Sequence, residues 1–168
     1  MKLFENINLI FKNERVKSFV FWCATLVALD QLIKFTLFNS VLAEKIFRFR
    51  DTGIFGIKLF ENTQFAFSLP LPQPAIYLIY IFVLSLISIY LVKHFNALTK
   101  QEYFAWLIIF AGAISNVVER IFRGSVRDYL FIYGIGGGGI LNLADLYIIG
   151  GIVALLYLEI KPKIFKKN

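Results

Sequence analysis

Residues 112–145 read GAISNVVERIFRGSVRDYLFIYGIGGGGILNLAD. An apolar run from Tyr103 to Phe110 precedes this stretch, and the sequence becomes apolar again from Leu141 onward. The stretch itself is rich in carboxylate, amide and guanidinium side chains, and it contains a glycine tract, Gly136–Gly139. Ionisable groups are costly at membrane depth, and where they occur there they usually mark function. We therefore expect a functional site in this part of the chain.

The composition indicates an integral membrane protein. Hydrophobic residues make up 58% of the 168 positions, more than the roughly half that is usual for a soluble domain. Four apolar stretches are long enough to cross a bilayer, which takes about 20 residues of helix. These stretches are Ser18–Phe38, Pro74–Val92, Glu102–Phe122 and Ile140–Ile160. The predicted fold is mainly α, a four-transmembrane-helix bundle that forms a single membrane domain over residues 1–168.

The first span has a basic flank, and residues 41–43 (VLA) resemble a signal-peptide cleavage site. However, Asp30, Gln31 and Lys34 interrupt the apolar region that a cleavable signal needs. We predict that the helix is retained in the membrane. Asp30 and Lys34 are four residues apart, so they share a helix face and can pair. The alternative is an interfacial anchor, with a snorkelling lysine and a capping aspartate.

The net charge of +7 would suggest a nucleic-acid partner in a soluble protein. Here the basic residues flank the spans, so no nucleic acid is expected. Ten lysines and arginines lie in the two tails and in the loop between the second and third spans, against six on the other side. This bias favours cytoplasmic termini, with the basic tails at the anionic inner leaflet. Residues 1–17 alternate apolar and charged residues, which fits an interfacial helix or a frayed tail.

Metal and disulfide chemistry find little support in the sequence. Cys23, in the first span, is the single cysteine and cannot form an internal disulfide. His94, at the end of the second span, is the single histidine. One residue of each kind argues against a zinc site, so no metal is expected.

The connection between the first two spans is predicted to form a small β-structure on the membrane surface, at about residues 47–69. Large apolar residues alternate with polar or small residues in three groups, Phe47–Arg50, Ile57–Leu59 and Phe65–Phe67, which predicts two or three short strands. By composition alone, Glu61, Asn62 and Thr63 fit a plain turn between strands.

Topology gathers the polar residues of the spans on one side of the membrane. The first span ends, the third ends and the fourth begins on the same side, whichever way the protein is oriented. With the basic bias, that side is the outer one, where the strand-bearing connection also lies. The residues gathered there are Asp30, Asn116, Glu119, Arg120, Asp128, Asn142 and Asp145.

Two aspartates in this group are candidate catalytic residues. Asp128 follows the third span in a predicted loop, Gly124–Tyr129, and Asp145 lies one turn inside the fourth span. Two carboxylates that face each other in a low-dielectric site share one proton. Such a pair can activate a water and protonate a leaving amine. Alternatively, Asp128 is a loop carboxylate paired with Arg127 or Arg123, and the cluster is an ion- or proton-coupled transport site.

The neighbouring polar residues fit supporting roles around the two aspartates. Helical spacing places Asn116, Glu119 and Arg120 on one face of the third span. Asn116 and Asn142 can hold the carboxylates or a scissile carbonyl by hydrogen bonds. We expect Arg120 to balance the remaining negative charge by pairing with Glu119 or with one of the aspartates.

Five motifs in the chain resemble those of the type II signal peptidase family, the lipoprotein signal peptidases. In order they are DQLIK (Asp30–Lys34), NTQFAFS (Asn62–Ser68), GAISNVVER (Gly112–Arg120), GSVRDY (Gly124–Tyr129) and LNLAD (Leu141–Asp145). Their order and spacing match the family over nearly the whole chain. Four positions depart from the family pattern: Gln64 and Ser115 replace glycines, Glu119 replaces an aspartate, and Leu141 replaces an aromatic residue.

The resemblance implies an intramembrane aspartic endopeptidase with Asp128 and Asp145 as its catalytic pair. It would remove the signal peptide of a diacylglyceryl-modified prolipoprotein by cutting before the lipidated cysteine. Asn62 would contact the substrate from a β-cradle, and no metal or organic cofactor would be needed. The expected setting is the bacterial inner membrane, with lipid and prolipoprotein as partners, the protein as a monomer, and the site toward the outer face. A proton- or ion-coupled transporter or a structural scaffold is the alternative.

Overall fold

The structure is a computed structural model that describes residues 13–39, 55–64, 70–133 and 139–165. The predictions for residues 1–12, for the strands at Phe47–Arg50 and Phe65–Phe67, and for most of the glycine tract lie outside these ranges.

Four long helices form the body of the described protein. They are α1 (Glu14–Asn39), α2 (Gln73–His94), α3 (Lys100–Arg123) and α4 (Leu143–Phe165). Each is long and apolar enough to cross a membrane, which confirms the predicted four-helix membrane fold. The predicted start of the fourth span at Ile140 is wrong by three residues, because Gly139–Leu141 is a β-strand.

Helix α3 lies at the centre of the bundle and is the most buried of the four. At its start, the Thr99 side chain accepts a hydrogen bond from the Glu102 backbone N–H, and the Glu102 carboxylate accepts one from Thr99 in return. This capping box satisfies backbone donors that a helix start leaves free. Gly124 ends the helix at a φ of 74°, a conformation that favours glycine. Because the helix ends at Arg123, the next strand can begin at Val126.

Two glycines allow α3 and α4 to pack closely. A Cβ atom at Gly112 would collide with the backbone carbonyl of Ala144, and one at Gly151 would collide with Ile109 and the Ala105 carbonyl. The contact brings the end of α3 against the beginning of α4, where the candidate residues lie.

The other end of the bundle is held by apolar packing. Buried side chains there come from α1, α2, α3 and the turn between α2 and α3; they are Phe19, Cys23, Leu91, Leu98, Tyr103, Leu107 and Ala111. Arg15 closes this end by donating a 2.6 Å hydrogen bond to the Leu98 carbonyl. Apolar packing and polar residues are therefore separated along the bundle.

A three-stranded antiparallel sheet covers the polar end. Its strands are β1 (Phe55–Asn62), β2 (Val126–Ile132) and β3 (Gly139–Leu141), in the order β1-β2-β3. Strand β1 confirms the described part of the predicted β-segment.

The prediction of a loop at Gly124–Tyr129 is wrong, because Val126–Ile132 forms the central strand of the sheet. Five of its seven residues are β-branched or aromatic types or leucine, which suit a strand. The strand has β1 on one side, where Asp128 is opposite Phe60, and β3 on the other, where Leu130 is opposite Leu141.

Candidate active site

Asp128 is a buried carboxylate on the central strand, with 3% of its surface exposed. Its Oδ1 atom accepts a 2.7 Å hydrogen bond from the Asn142 side chain, and its Oδ2 atom accepts a 3.1 Å hydrogen bond from Asn62. The nearby arginines have other partners: Arg127 binds Glu119, and Arg123 lies 3.5 Å from Glu61. The alternative interpretation, a loop carboxylate paired with one of these arginines, is therefore wrong.

Asp145 is fixed by the start of α4. Its Oδ2 atom accepts a 3.0 Å hydrogen bond from the Asn142 backbone N–H, and the Asn142 side-chain oxygen accepts a 2.9 Å bond from the Asp145 N–H. This reciprocal pair is a capping arrangement, so the helix start itself orients the carboxylate. Its Oδ1 atom accepts a 2.8 Å hydrogen bond from the Asn116 side chain.

Asn142 joins the two aspartates. Its side-chain NH₂ group donates to Asp128 and to Asn116 Oδ1, while its oxygen and backbone N–H bind Asp145. The residue is fully buried. The structure therefore brings together four of the predicted site residues, Asp128, Asp145, Asn116 and Asn142, in one hydrogen-bonded group.

The surroundings of Asp128 raise its pKa from 3.8 to about 6. Burial is the largest cause, because it disfavours the charged form, and the negative charge of Asp145 adds to it. Hydrogen bonds from Asn62 and Asn142 and the positive charge of Lys34 act in the opposite direction. A carboxyl with this pKa gains or loses its proton near neutral pH, as acid–base chemistry requires.

A buried ionic network lies beneath the two aspartates. The Lys34 ammonium is 2.8 Å from Asp30 Oδ2 and 2.9 Å from Glu119 Oε2, and it donates a 3.1 Å hydrogen bond to Asn116 Oδ1. These three charged side chains are at most 2% exposed. The predicted pairing of Asp30 with Lys34 is confirmed, and the alternative of an interfacial anchor is wrong.

Arg120 does not have the predicted partner. Within the described ranges it forms no ion pair with Glu119 or with either candidate aspartate, because Glu119 binds Lys34 and Arg127 instead. The Arg120 guanidinium is buried and contacts Tyr80 on α2, whose ring centroid is 6.0 Å away. Its Nε and Nη1 atoms have no hydrogen-bond partner in the described protein.

Asn62 forms the predicted turn and also contacts Asp128, while its contact with substrate stays a prediction. Its side-chain oxygen accepts a 3.0 Å hydrogen bond from the Gln64 N–H, which forms a turn at the end of β1. Its NH₂ group donates to Asp128 at the same time. The turn therefore orients the amide toward the site, and Gln64, which replaces a family glycine, contributes to it through its backbone.

Arg127 and Ser115 make contacts at this end of the protein that the sequence patterns do not predict. Arg127, a predicted alternative partner of Asp128, instead binds Glu119 with both its side chain and its backbone N–H. Ser115, noted only as a departure from the family pattern, donates a 2.6 Å hydrogen bond to Asp30 and accepts one from Gln31. The available signal was charge complementarity between Arg127 and Glu119, eight residues earlier.

Comparison with known proteins gives a consistent result. The sequence profile of a family described as signal peptidase (SPase) II matches residues 22–161. The lipoprotein signal peptidase of Fusobacterium nucleatum subsp. nucleatum is 30% identical over 139 residues, which cover 82% of this chain and 83% of that protein. The lipoprotein signal peptidase of Borreliella burgdorferi is 32% identical over 177 aligned positions, which cover 93% and 98% of the two chains.

Solved structures also resemble this one. A bacterial membrane enzyme structure at 2.3 Å resolution has a TM-score of 0.73 at 22% identity and covers 90% of this chain and 93% of its own. A second, at 1.9 Å, has a TM-score of 0.69 at 20% identity, with 86% and 94% covered. At this identity the likeness concerns the fold, and it agrees with the four-helix arrangement described above.

Proposed function

Because the chain belongs to the signal peptidase II family, we propose that it is an aspartic endopeptidase in which Asp128 and Asp145 form the catalytic dyad. As a lipoprotein signal peptidase, it is a bacterial multi-pass membrane protease that acts on lipoprotein precursors. The bond cut is the one before the diacylglyceryl-modified cysteine. Family membership does not favour the transport alternative.

The observation that carries the dyad proposal is the shared contact with Asn142. One buried residue contacts both carboxylates: its side-chain NH₂ group donates to Asp128, and its backbone N–H donates to Asp145. The charge of Asp145 is close enough to raise the pKa of Asp128, which is the expected behaviour of two carboxyls that share one proton. These contacts come from two separate segments, β2 and the start of α4, that only the fold brings together.

The proposed reaction follows the general logic of paired carboxyls. The ionised carboxylate takes a proton from a water molecule, and the oxygen of that water attacks the scissile carbonyl carbon. The protonated partner then gives its proton to the leaving amine as the C–N bond breaks. The hydrogen bonds from Asn62, Asn116 and Asn142 keep the carboxyl oxygens oriented between these steps, and no metal or cofactor takes part.

Arg120 fits a role in binding the substrate. Its buried Nε and Nη1 donors have no partner within the described ranges, and a buried unsatisfied donor is costly. A peptide or ester carbonyl of the substrate would satisfy them. Asn62, on the edge strand of the sheet and hydrogen-bonded to Asp128, is the second residue that we propose contacts the substrate.

We also propose the orientation of the protein in the membrane. The ten basic residues at the ends away from the site, against six on the site's side, support cytoplasmic termini. The dyad and the sheet then lie toward the outer face of the inner membrane, where a translocated precursor arrives. We expect one membrane domain that functions as a monomer.

The test is cleavage of a diacylglyceryl-modified prolipoprotein by purified protein, with the released signal peptide identified by mass. Wild type should cut before the lipidated cysteine, and Asp128→Asn and Asp145→Asn should not. The control is Glu14→Gln, which changes an exposed carboxylate at the start of α1, far along the helix from Asp30 and Lys34. This variant should cut normally. Normal processing by either aspartate variant would refute the dyad.

A further inference from the structure

Glu119 holds the backbone immediately before Asp128. Its Oε2 atom accepts a 3.2 Å hydrogen bond from the Arg127 backbone N–H, and its Oε1 atom binds the Arg127 side chain. Glu119 thus fixes the residue next to one candidate catalytic aspartate through two contacts. It lies on α3 and is only 2% exposed, so the contact joins the helix to the central strand inside the protein.

Asp30 holds the backbone immediately before Asp145 in the same way. Its Oδ1 atom accepts a 3.1 Å hydrogen bond from the Ala144 N–H, in the first turn of α4. Its Oδ2 atom accepts a 2.6 Å hydrogen bond from Ser115 on α3. A side chain on α1 therefore binds a free backbone donor at the start of another helix.

Lys34 connects these two carboxylates. Its ammonium group is 2.8 Å from Asp30 and 2.9 Å from Glu119, and all three side chains are almost completely buried. A buried ion pair is weak evidence for stability, because removing the charges from water offsets much of their attraction. Stability alone therefore does not explain this arrangement well. Positioning of the two segments that carry Asp128 and Asp145 explains it directly.

We propose that Lys34 is a positioning residue for peptide cleavage. By binding Asp30 and Glu119 together, it fixes the distance between the segment that carries Asp145 and the segment that carries Asp128. Paired carboxyls must be held within a fraction of an ångström to share a proton and a water. Lys34 itself does not touch the reacting bond. The inference rests on the proposed function, because it assumes that the two aspartates act together.

The test variant is Asp30→Asn/Lys34→Met, assayed for prolipoprotein cleavage. It removes one positive and one negative charge, so the remaining Glu119 and Arg127 stay balanced, and the asparagine that replaces Asp30 still offers an oxygen to the Ala144 N–H. The matched control is Glu14→Gln/Lys17→Met, which removes an exposed pair on the same helix.

We expect the test variant to fold and to bind substrate with KM within about twofold of the wild-type value. Its kcat per folded molecule should fall about 10- to 100-fold, since small misplacements of reacting groups cost that much.

A second variant, Glu119→Gln, keeps Lys34 and Asp30 and weakens the contacts of residue 119 with Lys34 and with Arg127, which connect Lys34 to the strand of Asp128. We expect the same pattern from it, a lower kcat with little change in KM, and it decides the matter if the first variant does not fold. A wild-type kcat per folded molecule in the folded variant would overturn the proposal. Failure of the dyad is distinguishable, because then Asp128→Asn or Asp145→Asn would also cleave the substrate.

Discussion

The side-chain amide nitrogen of Asn142 lies 2.7 Å from the Oδ1 atom of Asp128. Asn142 is also the residue that caps α4, with two reciprocal hydrogen bonds to Asp145. A single buried residue thus starts a helix and also contacts two carboxyls on different elements, Asp128 through its side chain and Asp145 through its backbone N–H. The site is assembled from a helix start and a strand, and this residue contacts both.

Replacing Asn142 with alanine should reduce both stability and activity. Loss of a helix cap costs about 1 kcal/mol, and the Asp128 and Asn116 atoms that it binds would lose a partner. We expect kcat to fall by at least about 100-fold, as for loss of one aligned catalytic contact. Cleavage assays and thermal unfolding measure the two effects. Asn39→Ala, an exposed amide at the end of α1, is the control, and equal effects of the two changes would contradict the prediction.

The raised pKa of Asp128 predicts a specific pH dependence of stability. Its folded-state pKa is about 6, above the ordinary value of 3.8, so the folded state favours the protonated form. The stability that this proton contributes is complete below pH 3.8 and is lost as pH rises through about 6. Asp128→Asn carries no such charge. The stability of this variant relative to wild type should therefore be greater at pH 7 than at pH 4, by a free energy of unfolding on the order of 2–3 kcal/mol. The difference between the two melting temperatures, measured at both pH values, reports this change. A difference that does not change with pH would exclude a buried titrating Asp128.

Asn62→Ala should lower activity and leave the fold intact. Asn62 sits at the end of β1, where its loss removes one hydrogen bond to Asp128 and one turn contact. We expect kcat/KM to fall about 10- to 100-fold, the range of roughly 1.4–2.7 kcal/mol. Because the bond from Asn62 lowers the pKa of Asp128, that pKa should rise further in the variant. Thr63→Ala changes the exposed neighbouring residue and should retain wild-type kinetics; a similar loss there would assign the effect to the turn.

Gly112→Ala should destabilise the contact between α3 and α4. The added methyl group would meet the Ala144 carbonyl and the Ile148 side chain, and overpacking of this kind costs about 1–3 kcal/mol. Gly150→Ala is the matched control, since its nearest neighbour would be 4.0 Å away, in ordinary contact. Alanine also favours helix by about 1 kcal/mol over glycine. We therefore expect a lower melting temperature for the first variant and an equal or higher one for the second; the reverse order would contradict the described packing.

The helices and their polar faces were predictable because they depend on local sequence. Long apolar runs are required to cross a bilayer, and the four-residue spacing of Asp30 and Lys34 sufficed to predict their pairing. Strand β2 was not predictable in the same way. The motif around Asp128 has polar residues that suit a loop, and its place as the central strand depends on pairing with β1, more than 60 residues earlier in the chain, and with β3, which follows it closely.

The partners of the arginines illustrate the same limit. Glu119 and Arg120 are consecutive in sequence, but consecutive side chains on a helix do not face each other. Glu119 binds Lys34 and Arg127 instead, which come from α1 and β2. Which of three cations a buried carboxylate binds depends on the packing of elements that sequence spacing does not specify. The role of Asn142 lies between these cases: its helix-cap contact is local, whereas its bond to Asp128 requires the folded sheet.

The most direct measurement is the cleavage rate of purified wild type, Asp128→Asn, Asp145→Asn and the double variant on one diacylglyceryl-modified prolipoprotein. If the two aspartates act as a unit, each single change should lower kcat by at least about 10³-fold, and the double change should cost little more than either. A single variant within about tenfold of wild type, or losses in kcat that multiply in the double variant, would contradict a shared catalytic role.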